Sequence, residues 1–229
     1  MKRDKIINIA DSRVLKIPIL ESNEVLIDLR NQDELVYGSV PESPLTKNHY
    51  IFVRKRVYEK LCLAQKSLPS GWRFRIYEGF RSSEVQQMLF DQQYQKILQE
   101  FPDKVREEIF YETTRLVSPV KNFDGTINIP AHNAGAAIDV EIIAKDGELV
   151  DMGMAIKDWQ KVNSDLCQTD CNLLDQDIRK NRKILHDVMA RHDFVNYPTE
   201  WWHFSYGDRY WAYIKDKESA IYGSADYLV

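Results

Sequence analysis

The chain has 229 residues, of which 44% are hydrophobic and 29% are charged, and its formal net charge is −4. This composition is typical of a globular protein with a substantial core. The 31 Lys and Arg residues do not exceed the 35 Asp and Glu residues, so nucleic acid is not an expected partner. No run approaches the roughly 18 apolar residues of a spanning helix, so the membrane is not an expected partner either.

The N-terminus begins with a basic cluster, as secretory signals do, but Asp11, Arg13 and Lys16 interrupt the apolar run that such a signal requires. We therefore expect no signal peptide. The odd number of cysteines, three, then predicts reduced thiols and a cytoplasmic protein. Cys167 and Cys171 lack a second cysteine pair or a nearby histidine to complete a metal site, so both are predicted to be structural.

The first half of the chain is predicted to contain two strands and three helices. In chain order these are a strand at residues 25–30 (VLIDLR), a helix at 50–68, a strand at 72–79 with Trp72, Phe74 and Ile76 on one face, a helix capped by Ser82 or Ser83, and a helix at 101–116 with Pro102 in its first turn. Arg81 lies between the second strand and the helix that follows it.

The second half is predicted to be richer in strands. In chain order it contains a loop at 118–135, a hairpin at 136–153 that turns at Asp146-Gly147, a helix at about 173–192 with Ile178, Leu185, Val188 and Met189 inward, and two final strands, EWWHFSY and RYWAYI. This mixture predicts the α+β class, with helices packed on a mainly antiparallel central sheet. No repeat or Gly/Ser linker divides the sequence, so one domain is predicted over residues 1–229.

The stretch PAHNAGAAIDVEII, residues 130–143, places polar residues on one face of a predicted strand. Alternate residues of a strand share a face, so Asp139 lies opposite the apolar set of Ile138 and its neighbours. The flexible Gly135 allows the preceding loop to fold back and bring His132 toward Asp139. In the final WWHFSY run, His203 also lies opposite the aromatic face. If the two strands are neighbours, His132, Asp139 and His203 meet on the polar face of the sheet.

Two imidazoles and one carboxylate form a suitable ligand set for zinc, with an open fourth position for water. Glu200, three residues before His203, is the candidate base. Residues i and i+3 of an unbroken strand face opposite ways, so Glu200 can act only if the backbone turns there, and Pro198 favours such a turn.

A structural interpretation of the same residues stays open on spacing alone. A histidine among aromatic residues, such as His203, is commonly a satisfied structural residue, and Asp139 could pair with a lysine. Glu200 could be an exposed charge at a strand end, and Arg81 could cap a helix. The remaining histidines are predicted to be structural: His49, His186 and His192.

Short motifs identify a resemblance to a known family. HNAGAAID matches the HxxGxAxD pattern of the M15 metallopeptidases, and EWWHF matches their ExxH or ExWH end motif. EGFRSSEVQ is similar to the segment of the D-Ala-D-Ala dipeptidases in which an arginine follows a strand and precedes a helix. The order and spacing hold over about residues 25–214, so the chain resembles the VanX-type D-alanyl-D-alanine dipeptidases, with residues 1–24 as an N-terminal extension.

The resemblance implies a zinc-dependent peptidase that hydrolyses D-Ala-D-Ala or a close peptidoglycan-derived dipeptide, a small peptide substrate containing D-amino acids. It implies that His132, Asp139 and His203 bind one zinc ion. Glu200 would be the general base for the metal-activated water, and Arg81 would stabilise the oxyanion.

Two positions depart from the family pattern near the substrate ammonium. Pro130 stands where the family often has a serine, and Lys157 stands where relatives often have an aspartate. The neighbouring Asp158 could take the second role if the local alignment shifts by one residue. These departures leave other functions open: an M15 peptidase for another cell-wall peptide such as one with an L-Ala-D-Glu bond, or a non-catalytic zinc-binding module of the same fold.

Overall fold

The computed structural model describes residues 6–41 and 44–229. Its strands are β1 (Leu26–Asp28), β2 (Val36–Tyr37), β3 (Phe52–Arg54), β4 (Arg73–Glu78), β5 (Ala137–Ile143), β6 (Val195–Asn196) and β7 (His203–Ser205). Its α-helices are α1 (Ser12–Leu15), α2 (Lys55–Gln65), α3 (Ser83–Glu100), α4 (Arg106–Thr113), α5 (Gln176–Arg191) and α6 (Arg209–Ile214). Within these described ranges, none of the helices combines the length and the apolar character that crossing a membrane requires.

The central sheet has five strands in the order β2-β4-β5-β7-β6. The pairs β4–β5, β5–β7 and β7–β6 are antiparallel, whereas β2 runs parallel to β4. The α+β class is therefore confirmed, and the sheet is mixed rather than purely antiparallel. Strands β1 and β3 form a separate antiparallel pair.

Strand β5 is the central strand of the sheet, β4 is its neighbour, and alternate residues of both strands form one apolar face. Phe74 and Ile76 of β4, and Ile138 and Val140 of β5, are fully buried on the core face. Helices α2 and α5 contribute to the same core. Strand β5 is buried on both faces, so its polar residues are also withdrawn from water.

A β-bulge interrupts the pairing of β4 with β5 at the end of β4. Ile76 pairs with Val140, but Glu78, two residues later, pairs with Asp139. The extra residue on β4 rotates the end of the strand, so Glu78 joins the face that carries Asp139 rather than the core face. Asp139 in turn pairs with His203 of β7, so three polar residues lie abreast on three adjacent strands.

Two predicted helices begin later than the sequence pattern indicated. The helix predicted at 50–68 begins at Lys55, because Phe52–Arg54 pairs with β1 as a strand. The helix predicted at 101–116 begins at Arg106, where the Glu108 carboxylate accepts a hydrogen bond from the Val105 N–H. Pro102 lies in the preceding turn, so the prediction for its position was wrong.

The predicted terminal strands are also corrected. RYWAYI is helix α6, because the Asp208 carboxylate caps the N–H groups of Tyr210 and Trp211 at 3.1 Å each. EWWHFSY contributes only His203–Ser205 as strand. The hairpin turn forms at 144–148, but its second arm pairs only through the bridge between Ile143 and Leu149.

Other predicted details are confirmed. Ser82 caps α3, and Val85 and Leu89 of that helix are buried. Helix α5 buries Leu185, Val188 and Met189, while Ile178 is partly buried. Strand β6, with only two residues, was not predicted.

We expect Gly79→Ala to lower the free energy of unfolding by about 1–3 kcal/mol, because a crowded core site cannot accept an added methyl group. A Cβ atom at Gly79 would lie 2.5 Å from the Phe52 carbonyl oxygen and 2.8 Å from Val53 Cγ1. Urea denaturation measures the change. Gly38→Ala is the matched control, since its Cβ would meet no atom closer than 3.7 Å. Equal stability of the two variants would contradict this account of Gly79.

Candidate active site

A cavity on the polar face of the sheet contains most of the residues that the sequence selected. His132, Asp139, His203, Glu200 and Arg81 all line it. Pro130 also lines the cavity. Asp158 does not: it lies in a short 3-10 turn, where its carboxylate is 3.1 Å from Lys161 Nζ.

The turn before β5 places His132 and fixes its tautomer. Gly135 has a φ of +65°, and its N–H donates to the His132 carbonyl at 3.0 Å, so the chain folds back at this point. His132 Nδ1 lies 2.6 Å from the Gly79 carbonyl oxygen. A carbonyl oxygen only accepts hydrogen bonds, so Nδ1 is the donor to Gly79 and Nε2 is the nitrogen that faces the cavity.

Three atoms that could bind a metal ion lie close together in front of β5. His132 Nε2 is 3.1 Å from His203 Nδ1, and Asp139 Oδ1 lies 3.1 Å from the same His203 nitrogen. The third separation, from His132 Nε2 to Asp139 Oδ1, is 3.4 Å. In a tetrahedral zinc site with bonds of about 2.0–2.2 Å, ligand atoms are separated by roughly 3.3–3.6 Å. The third separation lies within this range and the other two are slightly shorter, so the arrangement is close to that needed for one tetrahedral cation with three protein ligands.

This set stands apart from the other ionisable residues. Among residues 6–41 and 44–229, it is the one group of three or more His, Cys, Asp or Glu whose ligand atoms all lie within 4.8 Å of one another. His186 lies beside Asp187, and His192 lies beside Ser67. The three cysteines are free thiols, and Cys167 packs against Met154 with its sulfur 3.8 Å away.

The electrostatics of Asp139 favour its ionised form. Burial acts to raise the pKa of this carboxyl group, but the interactions with His132 and then His203 outweigh burial and hold the pKa well below its usual range. Asp139, one of the three clustered residues, is therefore held in its ionised form.

Glu200 reaches the same centre because the backbone turns before β7. Its N–H donates to the Tyr197 carbonyl at 2.9 Å, and its own carbonyl accepts from His203 N–H at 3.2 Å. This turn brings Glu200 Oε2 to 3.7 Å from His203 Nδ1. Burial, and next the charge of Asp139, raise the pKa of Glu200 well above its usual value, against the opposite effects of His132 and Arg81.

Arg81 is held rigidly by two residues that the sequence analysis did not select. Glu78 accepts hydrogen bonds from Arg81 Nε at 3.1 Å and from Nη2, and Gln86 Oε1 accepts from Nη1 at 3.0 Å. The guanidinium Nη2 lies 3.9 Å from Asp139 Oδ2. The available sequence signal was the i, i+3 spacing of Glu78 and Arg81, but regular strand alternation would have placed Glu78 in the core.

Comparison with known proteins identifies relatives of the chain. The family model of peptidase M15, described as D-Ala-D-Ala dipeptidase, matches residues 38–220. A D-alanyl-D-alanine dipeptidase of Synechocystis sp. is 27% identical over an alignment 225 residues long, and the alignment covers 87% of this chain and 88% of that protein. A solved structure of the LdcB LD-carboxypeptidase matches with 15% identity and a TM-score of 0.42, covering 86% of this chain and 75% of that one, a likeness too distant to carry an argument.

A buried arginine supports the turn that carries Glu200. Arg182 of α5 is 2% exposed and donates to three backbone carbonyls, those of Met152, Leu166 and Gln168, at 2.5–2.8 Å. Its guanidinium lies 5.4 Å from the centre of the Trp201 ring. Burial lowers the pKa of Arg182 to about 10. Arg182 therefore ties the loop at 152–168 to the residue that follows Glu200.

We expect Arg182→Met to lower the free energy of unfolding by about 2–4 kcal/mol, because the carbonyls that Arg182 satisfies would be left buried without donors. Thermal or urea denaturation measures this loss. Lys180→Met is the control, since Lys180 is on the same helix and exposed. If the Arg182 variant proves as stable as the Lys180 variant, the guanidinium does not hold the loop.

Proposed function

The chain belongs to peptidase family M15, and on that basis we propose that it hydrolyses the D-Ala-D-Ala dipeptide, or a close dipeptide derived from peptidoglycan, with the help of one zinc ion. The observation that carries this proposal is the meeting of His132, Asp139 and His203 within 3.1–3.4 Å of one another, with Glu200 beside them. These residues all lie inside the span that matches the family.

His132, Asp139 and His203 would hold the zinc ion. The two nitrogens and one oxygen are donor atoms that zinc prefers, and the Gly79 carbonyl orients His132 for this role. When bound, zinc supplies Lewis acidity that lowers the pKa of a water molecule toward about 7 and polarises the scissile carbonyl group.

Glu200 would move the protons of the reaction. It takes a proton from the attacking water as the water oxygen bonds to the peptide carbon. It then delivers that proton to the leaving amino group as the C–N bond breaks. Its position beside His203, inside the cavity, supports both transfers, since general acid–base catalysis requires a group within hydrogen-bonding reach of the reacting atoms.

Arg81 would stabilise the negative charge that develops on the carbonyl oxygen. Its guanidinium lines the cavity and is fixed from behind by Glu78 and Gln86, so little reorganisation is needed as charge forms. Glu78 is a positioning residue in this scheme, because it acts through Arg81.

A second candidate function is hydrolysis of another cell-wall peptide, such as one with an L-Ala-D-Glu bond. Two observations favour it: Pro130 lines the cavity but offers no side-chain donor, and Asp158 pairs with Lys161 away from the cavity. The presence of both Glu200 and Arg81 beside the proposed ligands argues against a non-catalytic binding module. A peptide panel separates the two catalytic candidates, because each predicts a different best substrate by kcat/KM.

Glu200→Gln is expected to lower kcat for D-Ala-D-Ala by about 10²–10⁴-fold while the protein keeps its zinc, since the amide cannot accept the proton. Release of D-alanine measures the rate, and metal analysis measures the zinc content. Glu148→Gln, at an exposed position in the hairpin turn, is the matched control. Turnover by Glu200→Gln at the rate of the control would reject Glu200 as the base.

We expect purified protein to contain about one zinc ion per chain, to lose activity when a chelator removes it and to recover activity when zinc is restored. His203→Ala removes one of three ligands and is expected to reduce the bound zinc severely. His186→Ala, which changes a half-exposed histidine on α5, is expected to keep the zinc of the unchanged protein. Full zinc content in His203→Ala would place the metal elsewhere.

A further inference from the structure

Part of the cavity wall comes from a segment outside the family match. The match begins at residue 38, yet Ile9, Val14 and Leu15 line the cavity together with the proposed catalytic residues. We call residues 6–17 the N-terminal cap. Its three lining side chains are apolar, whereas Glu78, Arg81 and Gln86 line the cavity with polar groups.

The cap is a fixed part of the protein. Val14 of α1 is 2% exposed and belongs to the hydrophobic core, and burial of a valine side chain stabilises by about 1.5–3 kcal/mol. Asp11 caps α1 by accepting from Arg13 N–H at 2.9 Å. At the end of the cap, Arg209 Nε donates to the Ile17 carbonyl at 3.0 Å.

The residues after the cap anchor it to the end of the chain. Leu20 N–H donates to the Ala220 carbonyl at 2.9 Å, and Ala220 N–H donates to the Pro18 carbonyl at 2.9 Å. The Glu21 carboxylate accepts from Gly223 N–H at 2.5 Å and lies 3.2 Å from Arg54 Nη2. The cap is therefore held in two ways: Val14 packs into the core, and the residues that follow the cap bond to the C-terminal segment. A peptide in the cavity would contact it as a fixed wall.

We propose that the N-terminal cap determines substrate length, with Ile9 and Leu15 as the specificity-determining residues that exclude peptides longer than a dipeptide. This inference rests on the proposed peptidase function of the same site. Ile9 and Leu15 are only half-buried, so they contribute less to the core than Val14 does, and they are the side chains whose shortening widens the cavity with the least effect on folding.

The test compares the double variant Ile9→Ala/Leu15→Ala with the unchanged protein and with Leu20→Ala. Leu20 lies just after the cap, is 67% exposed and does not line the cavity. Three peptides are assayed for kcat/KM: D-Ala-D-Ala, Gly-D-Ala-D-Ala, which is extended at the amino end, and D-Ala-D-Ala-Gly, which is extended at the carboxyl end.

In the double variant, the ratio of kcat/KM for one extended peptide over the dipeptide is expected to rise at least about tenfold, the scale of discrimination that a few methylene groups provide. Leu20→Ala is expected to keep the ratio of the unchanged protein. A gain for either extended peptide supports the inference and identifies the blocked end. An unchanged ratio for both extended peptides overturns it.

A second variant guards against misfolding of the first. Leu15→Phe adds volume to the wall, so it is expected to lower kcat/KM for D-Ala-D-Ala at least about fivefold, since small changes in pocket volume discriminate on this scale. The unfolding midpoint is expected to stay close to that of Leu20→Ala. Unchanged dipeptide kinetics in a folded Leu15→Phe variant would also overturn the inference. Failure of the unchanged protein to cleave D-Ala-D-Ala at all is a different result, which rejects the proposed function.

Discussion

The hydrogen-bonded register of three adjacent strands is the constraint on which the candidate site depends. Glu78 on β4, Asp139 on β5 and His203 on β7 lie side by side because of this register. The bulge in β4 is essential to it: with regular pairing, Glu78 would face Ile138 and the core. Gly79 follows the bulge and passes close to β3, and its carbonyl accepts the hydrogen bond that orients His132. The path of the backbone therefore determines both the position of Glu78, which holds Arg81, and the orientation of the His132 ring.

The same register brings several acidic side chains together inside the buried cavity. Glu78, Asp139 and Glu200 are each less than a tenth exposed, and Arg81 is the cation that contacts two of these carboxylates. With all three carboxyl groups ionised and the imidazoles neutral, three carboxylates and one guanidinium would leave a net charge of −2. Buried charge of this kind requires compensation, and the raised pKa of Glu200 reflects the cost of burial beside Asp139. A divalent cation of the proposed kind would balance this charge, which agrees with the choice of ligand atoms.

Much of the central strand pair could be predicted from local pattern, because alternation of apolar residues decides which face is buried. Ile138 and Val140 enter the core as predicted, and Asp139 lies on the opposite face. Short runs whose residues suit both a strand and a helix were predicted wrongly. RYWAYI is rich in aromatic residues, as strands commonly are, yet the carboxylate of Asp208 caps it as a helix. The bulge that redirects Glu78 leaves no mark in the alternation of β4, so strand alternation places Glu78 in the core and gives no sign that it supports Arg81.

The place of the N-terminal residues beside the cavity could not be predicted from local sequence pattern either, because it depends on contacts between residues that are far apart in the chain. Arg54, fully buried at the end of β3, donates to the Ala134 carbonyl in the loop of His132 and to the Glu24 carbonyl, and it lies 3.2 Å from Glu21. One cation therefore joins the loop that presents a proposed metal ligand to the segment that follows the N-terminal cap. Because these groups are 80 or 30 residues apart in sequence, no periodicity relates them. The segment that follows the cap and the loop of His132 share this support, so Arg54 connects the chain behind the cavity wall to a residue that would perform the chemistry.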